Sequence, residues 1–388
     1  MSRIRVLVVD DSVVIRRLVS DALAQDPAIE VVGVAANGRL ALAKVEQLAP
    51  DAVTMDVEMP EMNGIEAVRA LRKAGHRMPI IMFSTLTERG AGATLDALAA
   101  GATDYVTKPS NVGSVQESMD RVAHDLVPRL HALVPNPGGG PRGSARLLPR
   151  QPGLRPPAAP AAHATGPAGP GAGQVVPRIV STLPAPAPHV VRAVVVGSST
   201  GGPEALSRVL SGLTAPPPVP VLVVQHMPPV FTRQLAARLD RLGPATVVES
   251  AGEEELRPGH VYIAPGDRHL ELQRTGQSVR TLLTDGPPVN YCRPSVDVMF
   301  RSAVRALGGE LLAIVLTGMG MDGKAGCDDV VRAGGTVLVQ DERTSVVWGM
   351  PGAVAHAGLA HGIVPLDQVA PAIERTLATA GAGRAVQA

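Results

Sequence analysis

Three short segments in the second half of the chain carry residues that could do chemistry. Residues 196–202 (VGSSTGG) form an apolar strand that gives way to hydroxyls and paired glycines before a helix-like run. Residues 225–229 (QHMPP) and 317–323 (TGMGMDG) each follow another apolar strand and supply a histidine and an aspartate. A serine nucleophile suits this setting, with a rigid strand behind it and helix amides in front. Three strand ends could therefore converge on one hydrolytic site.

The candidates in these segments are Ser199 as nucleophile, His226 as base and Asp322 as acid. A serine hydroxyl is a poor nucleophile at neutral pH, so His226 would remove its proton while Asp322 stabilises the resulting imidazolium. A developing oxyanion needs N–H donors close to the nucleophile. The candidate donors are the backbone amides of Thr200, Gly201, Gly202 and Met319.

Each of these features also has a simpler interpretation. The glycine-rich turn could bind a phosphate, although it lacks the P-loop lysine and the spaced glycines of a dinucleotide site. His226 alone could be a structural hydrogen-bonding residue. Asp322 could be the N-cap of a helix predicted over residues 323–333. The hydrolase interpretation depends on the three residues lying together.

Carboxylates also follow the predicted strands of the first third of the chain. Asp10 and Asp11 end the first strand, Asp56 ends the third, Ser84 the fourth and Lys108 the fifth. Parallel sheets bind ligands at this edge, and three carboxylates suit Mg²⁺. A carboxylate beside a divalent metal, with a cation and a hydroxyl nearby, is what aspartyl phosphorylation requires. The simpler interpretation is that these acids are solvated loop charges.

The elements that must position these residues are short apolar runs alternating with helical patterns. Five such units occupy residues 3–131 and predict a doubly wound parallel α/β domain. Residues 132–189 are crowded with Pro, Gly and Ala and predict a disordered linker. The alternation resumes over residues 190–384, which predicts a second doubly wound α/β domain. Runs at 269–272 and 279–283 predict a hairpin, expected at an antiparallel edge of its sheet.

The composition excludes several classes of protein. A net charge of +1 gives no reason to expect nucleic acid or an anionic membrane surface as partner. No apolar run approaches the roughly 20 residues that span a bilayer, and the N-terminus does not resemble a signal peptide. The two cysteines, Cys292 and Cys327, lack metal-ligand spacing and are expected to be ordinary thiols in a reducing cytoplasm. We therefore expect a cytoplasmic protein without membrane insertion.

The first domain resembles a response-regulator receiver domain, through residues 6–12 (VLVVDDS), 55–64 (MDVEMPEMNG) and 107–109 (TKP). The resemblance implies a flavodoxin-like, five-stranded parallel fold in which Asp56 accepts a phosphoryl group. It also implies a Mg²⁺ site and a conformational switch. The residues implied are Asp10, Asp11, Asp56 and the backbone carbonyl of Glu58 for the ion, and Ser84, Tyr105 and Lys108 for the switch.

The second domain resembles the chemotaxis protein-glutamate methylesterases. The segments that carry the resemblance are 197–202, 225–229, 258–267, 293–297 and 317–323. The family's catalytic serine, histidine and aspartate correspond to Ser199, His226 and Asp322, whereas Ser198 replaces the family's usual alanine. The resemblance implies hydrolysis of methyl esters on glutamates of chemoreceptor cytoplasmic domains, and deamidation of glutamines there, through an acyl-enzyme. A chemotaxis histidine kinase is the implied phosphodonor, and no cofactor is expected for hydrolysis.

Two other functions stay open from the sequence. A response regulator could carry an output domain that recognises a partner or DNA, but such a domain should have a basic recognition helix. A general serine esterase could be fused to a receiver. The chain order of Ser199, His226 and Asp322 disfavours this alternative, because the acid precedes the histidine in α/β-hydrolases.

Overall fold

The structure, a computed structural model, describes residues 3–109, 114–135, 181–184, 186 and 189–385, with side chains of the last helix as far as residue 379. The predicted linker at 132–189 falls mostly outside the described residues. Within the described ranges, no helix combines the length and the apolar character that crossing a bilayer would need.

The first domain is a five-stranded parallel sheet with helices on both faces, in the strand order β2-β1-β3-β4-β5. This is the flavodoxin-like order, so the predicted fold is confirmed. The strands are Ile4–Val9 (β1), Ile29–Ala35 (β2), Ala52–Asp56 (β3), Ile80–Ser84 (β4) and Asp104–Thr107 (β5). The helices are Val13–Leu23 (α1), Gly38–Leu48 (α2), Gly64–Lys73 (α3), Glu88–Ala99 (α4) and Val115–Leu133 (α5).

Side-chain caps determine where these five helices begin. Each is preceded by a Ser, Asn or Thr whose side chain accepts a hydrogen bond from an amide of the first turn, which satisfies a donor that has no partner within the helix. The caps are Ser12, Asn37, Asn63, Thr87 and Ser114.

The second domain contains a seven-stranded parallel sheet and a separate antiparallel pair. The strands are Ala193–Ser198 (β6), Val221–Gln225 (β7), Thr246–Glu249 (β8), His260–Ile263 (β9), His269–Thr275 (β10), Ser278–Thr284 (β11), Leu311–Val315 (β12), Thr336–Gln340 (β13) and Gly362–Val364 (β14). The helices are Gly202–Ser211 (α6), Phe231–Leu239 (α7), Val296–Leu307 (α8), Lys324–Arg332 (α9), Met350–His356 (α10) and Leu366–Ala385 (α11).

The order of the large sheet is β14-β13-β12-β6-β7-β9-β8, and all its pairings are parallel. The sequence did not predict β8 or β14, which are the short strands at its two edges. The predicted hairpin is confirmed as the antiparallel pair β10-β11. It forms a sheet of its own and packs on α8, where the Ser302 hydroxyl accepts a hydrogen bond from the Leu272 amide.

Strands β12, β6 and β7 lie side by side at the centre of the large sheet. Every residue of these three strands is buried, which explains why they read as continuous apolar runs in the sequence. Their register pairs Val315 with Gly197 and Ser198 with Gln225, so the three strands end at nearly the same level. The loops that follow them must therefore meet at one edge of the sheet.

Candidate active site and receiver site

Ser199 is the first residue beyond β6, in a tight turn that leads into α6. Its amide donates to the Thr317 carbonyl at 3.0 Å, and its carbonyl accepts from the Gly202 amide at 2.7 Å. Gly201 closes the turn with a φ of 76°, a conformation that favours glycine. The side chain is only partly buried, so the hydroxyl lies on a rigid turn at the open edge of the sheet.

A buried polar pair lies beneath this turn. The Ser198 hydroxyl donates to Gln225 Oε1 at 2.7 Å, and Gln225 Nε2 donates to the Ser199 carbonyl at 2.9 Å. A Cβ atom at Gly202 would lie 1.9 Å from Gln225 Oε1, so a side chain there would displace Gln225 from this pair. Ser198 and Ser199 therefore have different environments: Ser198 is fully buried and bonded to Gln225, whereas Ser199 is partly exposed.

His226 follows β7 directly and pairs with Asp322, which lies in the loop between β12 and α9. The distance from His226 Nε2 to Asp322 Oδ2 is 2.9 Å. Burial disfavours a charge on the imidazole, but the hydrogen bonds that the ring makes to Asp322 and Cys292 outweigh this effect and raise the pKa of His226 to about 9. The N-cap of α9 is Gly323 and not Asp322, so the helix-cap alternative for Asp322 is wrong.

Asp322 is held as an anion by many donors. Burial alone would raise its pKa, but the bond to His226 and other hydrogen bonds lower the pKa of Asp322 to about 2. Several donors come from the start of α8, where a helix N-terminus favours negative charge. Besides His226, the donors are Asn290 Nδ2, the Ser295 hydroxyl, and the amides of Val296, Asp297 and Gly323, at 2.7–3.2 Å.

The second nitrogen of His226 faces a thiol. Cys292 Sγ lies 3.6 Å from His226 Nδ1, and no spacing in the sequence indicated this contact. Among the residues that the structure describes, no hydrogen bond joins the Ser199 hydroxyl to His226. The structure thus places Asp322 and Cys292 in contact with the two nitrogens of His226, and Ser199 at the neighbouring strand end.

Of the amides considered as oxyanion donors, Gly202 is already used, because it donates to the Ser199 carbonyl. The amides of Thr200, Gly201 and Met319 have no acceptor among the described residues, so they stay candidates. Gly318 beside them has no room for a side chain, since a Cβ atom there would lie 2.9 Å from the Ser199 Cβ.

The predicted acids of the first domain gather at the carboxyl edge of its sheet. Ligand oxygens of Asp10, Asp11 and Asp56 lie within 4.8 Å of one another. Lys108 Nζ lies 2.9 Å from both Asp10 Oδ2 and Asp56 Oδ2. Burial raises the pKa of Asp56 to about 6, which shows how poorly solvated this carboxylate is.

These residues suit a divalent cation. Carboxylate oxygens are the donors that Mg²⁺ prefers. Asp10 Oδ2 is buried and, in the described part of the chain, has only Lys108 Nζ as a close partner, at 2.9 Å, which leaves a lone pair available. The Glu58 side chain points to Arg89 at 3.2 Å, so only the backbone carbonyl of Glu58 stays a candidate ligand.

The predicted switch residues Ser84 and Tyr105 lie on the neighbouring strands β4 and β5, where Tyr105 pairs with Met82, two residues before Ser84. Ser84 is buried, and its hydroxyl accepts from Thr94 Oγ1 at 2.7 Å. Tyr105 packs against the second domain, where its ring stacks on Phe231 with centroids 4.8 Å apart. Burial raises the pKa of Tyr105 well above its usual range, so the ring stays neutral.

Comparison with known proteins agrees with this two-part architecture. Residues 194–373 match the family model of CheB methylesterases, and residues 6–120 match that of response regulator receiver domains. A protein-glutamate methylesterase/protein-glutamine glutaminase from Nocardioides sp. is 59% identical over 97% of this chain and 96% of that relative. The chain belongs to this methylesterase/glutaminase family. A relative of the same name from Trichodesmium erythraeum is 42% identical over 97% of this chain and 100% of its own length.

A crystal structure of the CheB methylesterase catalytic domain from Thermotoga maritima also matches. It is 42% identical and covers 48% of this chain and 98% of that chain, with a TM-score of 0.47.

The sequence did not reveal how the receiver of this family member meets the turn at Ser199. Thr200 Oγ1 donates to Asp104 Oδ2 of the receiver at 2.9 Å, and this bond is buried. Arg129 of α5 donates to the same oxygen at 3.1 Å. One apolar cluster includes buried side chains of both domains, among them Tyr105 and Phe231. The only indication of this interface in the sequence was Tyr105, which was predicted as a switch residue.

Proposed function

We propose that this chain is a phosphorylation-regulated hydrolase that removes methyl esters from chemoreceptor glutamates and deamidates receptor glutamines. Ser199 is the nucleophile, His226 the base and Asp322 the acid of its catalytic triad. The observation that carries the proposal is the 2.9 Å pair of His226 and Asp322 at the strand end next to Ser199. Relatives that match nearly the whole chain have the corresponding name.

In the first half of the reaction, the Ser199 oxygen attacks the carbonyl carbon of the glutamate side chain. The hydroxyl proton passes to the His226 nitrogen that Asp322 does not hold, and the buried Asp322 carboxylate stabilises the imidazolium. The carbonyl oxygen becomes an oxyanion, for which the amides of Thr200, Gly201 and Met319 are the candidate donors. When the tetrahedral carbon collapses, methanol leaves with the proton of His226 and an acyl-enzyme is formed.

In the second half, water attacks the acyl-enzyme. His226 accepts a proton from the water and returns one to the Ser199 oxygen, which releases a free glutamate side chain. A glutamine substrate follows the same path, with ammonia leaving in place of methanol. No step of this scheme uses a metal or an organic cofactor.

The receiver regulates this site through its contacts with α6 and α7. Asp104 contacts Thr200, next to the nucleophile, and Tyr105 stacks on Phe231 at the start of α7. A phosphoryl group on Asp56, from a chemotaxis histidine kinase, biases the receiver toward a state that releases these contacts. Mg²⁺ held by Asp10, Asp11, Asp56 and the Glu58 carbonyl would neutralise charge during phosphorylation, and Lys108 and Ser84 would contact the phosphoryl oxygens.

The proposal also includes the partners and the limits of the domains. The substrates are chemoreceptor cytoplasmic domains, so the protein works in the cytoplasm. The receiver spans residues 3–131 and the catalytic domain 190–384, although α5 extends to Leu133.

The two adjacent serines allow a matched test of the nucleophile. Ser199→Ala should reduce methanol release from methylated receptor by about three orders of magnitude or more, because the acyl-enzyme cannot form. Ser198→Ala removes a buried hydrogen bond to Gln225 and should lower the free energy of unfolding by about 1 kcal/mol, with methanol release changed only a few-fold.

The measurement is the initial rate of methanol release, with circular dichroism to check folding. A Ser199→Ala variant that folds and retains the wild-type rate would show that Ser199 is not the nucleophile. A loss of activity confined to Ser198→Ala would show instead that Ser198 is the nucleophile.

A further inference from the structure

The feature not used by the proposed reaction is the thiol of Cys292, in the loop between β11 and α8. A tight turn fixes its position, since Val289 and Cys292 exchange backbone hydrogen bonds of 3.1 and 2.9 Å. The two residues between them, Asn290 and Tyr291, have φ angles of 51° and 63°. Consecutive positive φ angles at non-glycine residues are strained and persist only where the surroundings impose them.

The surroundings that impose this turn belong to the candidate active site. Asn290 Nδ2 donates to Asp322 Oδ1 at 3.0 Å and to Asp297 Oδ2 at 2.8 Å. The turn that carries Cys292 is therefore anchored on the same carboxylate that holds His226. Tyr291 at its tip is fully exposed, so the anchoring comes from Asn290 and not from burial of the loop.

The two nitrogens of His226 are both engaged in this arrangement. Nε2 is 2.9 Å from Asp322, and Nδ1 is 3.6 Å from Cys292 Sγ, within range of a weak hydrogen bond to sulfur. With Asp322 on Nε2, the nitrogen that must accept the Ser199 proton is Nδ1. We propose that Cys292 is a positioning residue. It contacts Nδ1, the nitrogen of His226 that would accept the Ser199 proton, and so restrains the resting enzyme independently of the receiver. This inference rests on the proposed function of Ser199 and His226.

The charges around His226 strengthen this restraint. The titratable groups that face the imidazole are Asp322, from the loop after β12, and Cys292, from the loop before α8; Asp297 lies behind them, bonded to Asn290. Burial lowers the pKa of His226, but its bonds to Asp322 and Cys292 raise it to about 9. A raised pKa favours the protonated imidazole, which cannot take a proton from serine. The contact between Nδ1 and Cys292 must therefore be released before Nδ1 can accept the Ser199 proton.

The test compares Cys292→Ala and Cys292→Ser in the full chain with the wild type. Both variants remove the sulfur that contacts Nδ1, so the pKa of His226 should fall in both, and each unit of fall increases the neutral fraction at pH 7 about tenfold. We expect basal kcat/KM for methylated receptor at pH 7 to rise by about threefold or more, with the acid limb of the pH profile moved to lower pH. Cys327→Ala is the matched control, because Cys327 is buried in the core, and its pH profile should be that of the wild type.

A second measurement needs no substrate. The ¹⁵N chemical shifts of the His226 ring, assigned by their absence in His226→Gln, give its titration directly. An unchanged titration in both Cys292 variants would overturn the proposal, as would a loss of activity without movement of the acid limb, which would mean that Cys292 only supports the loop. Failure of the proposed function is a separate result, seen as a Ser199→Ala variant that stays active.

Discussion

The buried contact between the receiver and the turn at Ser199 leads to a quantitative prediction. Asp104 begins β5 and accepts hydrogen bonds from Thr200 of the catalytic domain and Arg129 of its own domain. Asp104→Ala removes the acceptor of the interdomain bond and leaves the Thr200 hydroxyl without a partner. If docking of the receiver restrains the enzyme, this substitution should release it without phosphorylation.

The magnitude follows from the charge and burial of the bond. A hydrogen bond to a charged acceptor contributes about 1.5–3 kcal/mol, so its loss weakens docking about 10- to 150-fold. Asp96, at the same interface, forms an ion pair with Arg238 at 2.7 Å, but its side chain is 57% exposed. Exposed pairs contribute about 0–1 kcal/mol, so Asp96→Ala should weaken docking at most about fivefold. Both substitutions remove one acid from the same face of the receiver, which makes them a matched pair.

The assay is the basal rate of methanol release from methylated receptor, in the absence of any phosphodonor. We expect Asp104→Ala to raise this rate by at least about tenfold, and Asp96→Ala to raise it much less. Circular dichroism and acetyl phosphate labelling of Asp56 check that the receiver still folds. A folded Asp104→Ala enzyme with the wild-type rate, or equal effects of the two variants, would refute the reasoning that the Thr200 contact restrains the site.

Two further predictions concern the acids of the two sites. Asp56→Ala should abolish the increase in methanol release that a small phosphodonor gives, and an equal increase in the variant would contradict phosphorylation at Asp56. Asp322→Asn should lower kcat about 10⁴-fold, because the amide cannot stabilise the imidazolium. This loss should remain in the phosphorylated enzyme in single-turnover experiments, and full recovery on phosphorylation would show that Asp322 serves only regulation.

The sequence predicts those parts of the fold and site that depend on local pattern. Apolar runs over β6, β7 and β12 are long and buried on both faces, so their ends, and the residues that follow them, could be placed from the sequence. The edge strands β8 and β14 have only 4 and 3 residues, too few for a clear pattern, and they were missed. The separate sheet of β10 and β11 could not be distinguished from an edge, because both have the same alternation.

Local sequence patterns of this kind do not predict contacts between distant loops. Cys292 reaches His226 only because Asn290 binds Asp322, a contact across 32 residues of chain. Thr200 reaches Asp104 across 96 residues and two domains. Neither pair has a characteristic spacing, since loop length and domain packing determine both.

The position of the receiver contact indicates how regulation can act on the site. In the described residues, Asp104 bonds to Thr200, whereas the hydrogen bonds and ion pairs of His226 and Asp322 all come from the catalytic domain. If docking of the receiver restrains the enzyme, it leaves the pair of His226 and Asp322 assembled and acts on the turn that carries Ser199, the proposed nucleophile, and two candidate oxyanion amides. Because the turn is also held from below by Gln225, release of Asp104 need not disorder it. Regulation of this kind changes access to Ser199. The pKa values of His226 and Asp322 depend instead on contacts within the catalytic domain, such as that between Cys292 and His226.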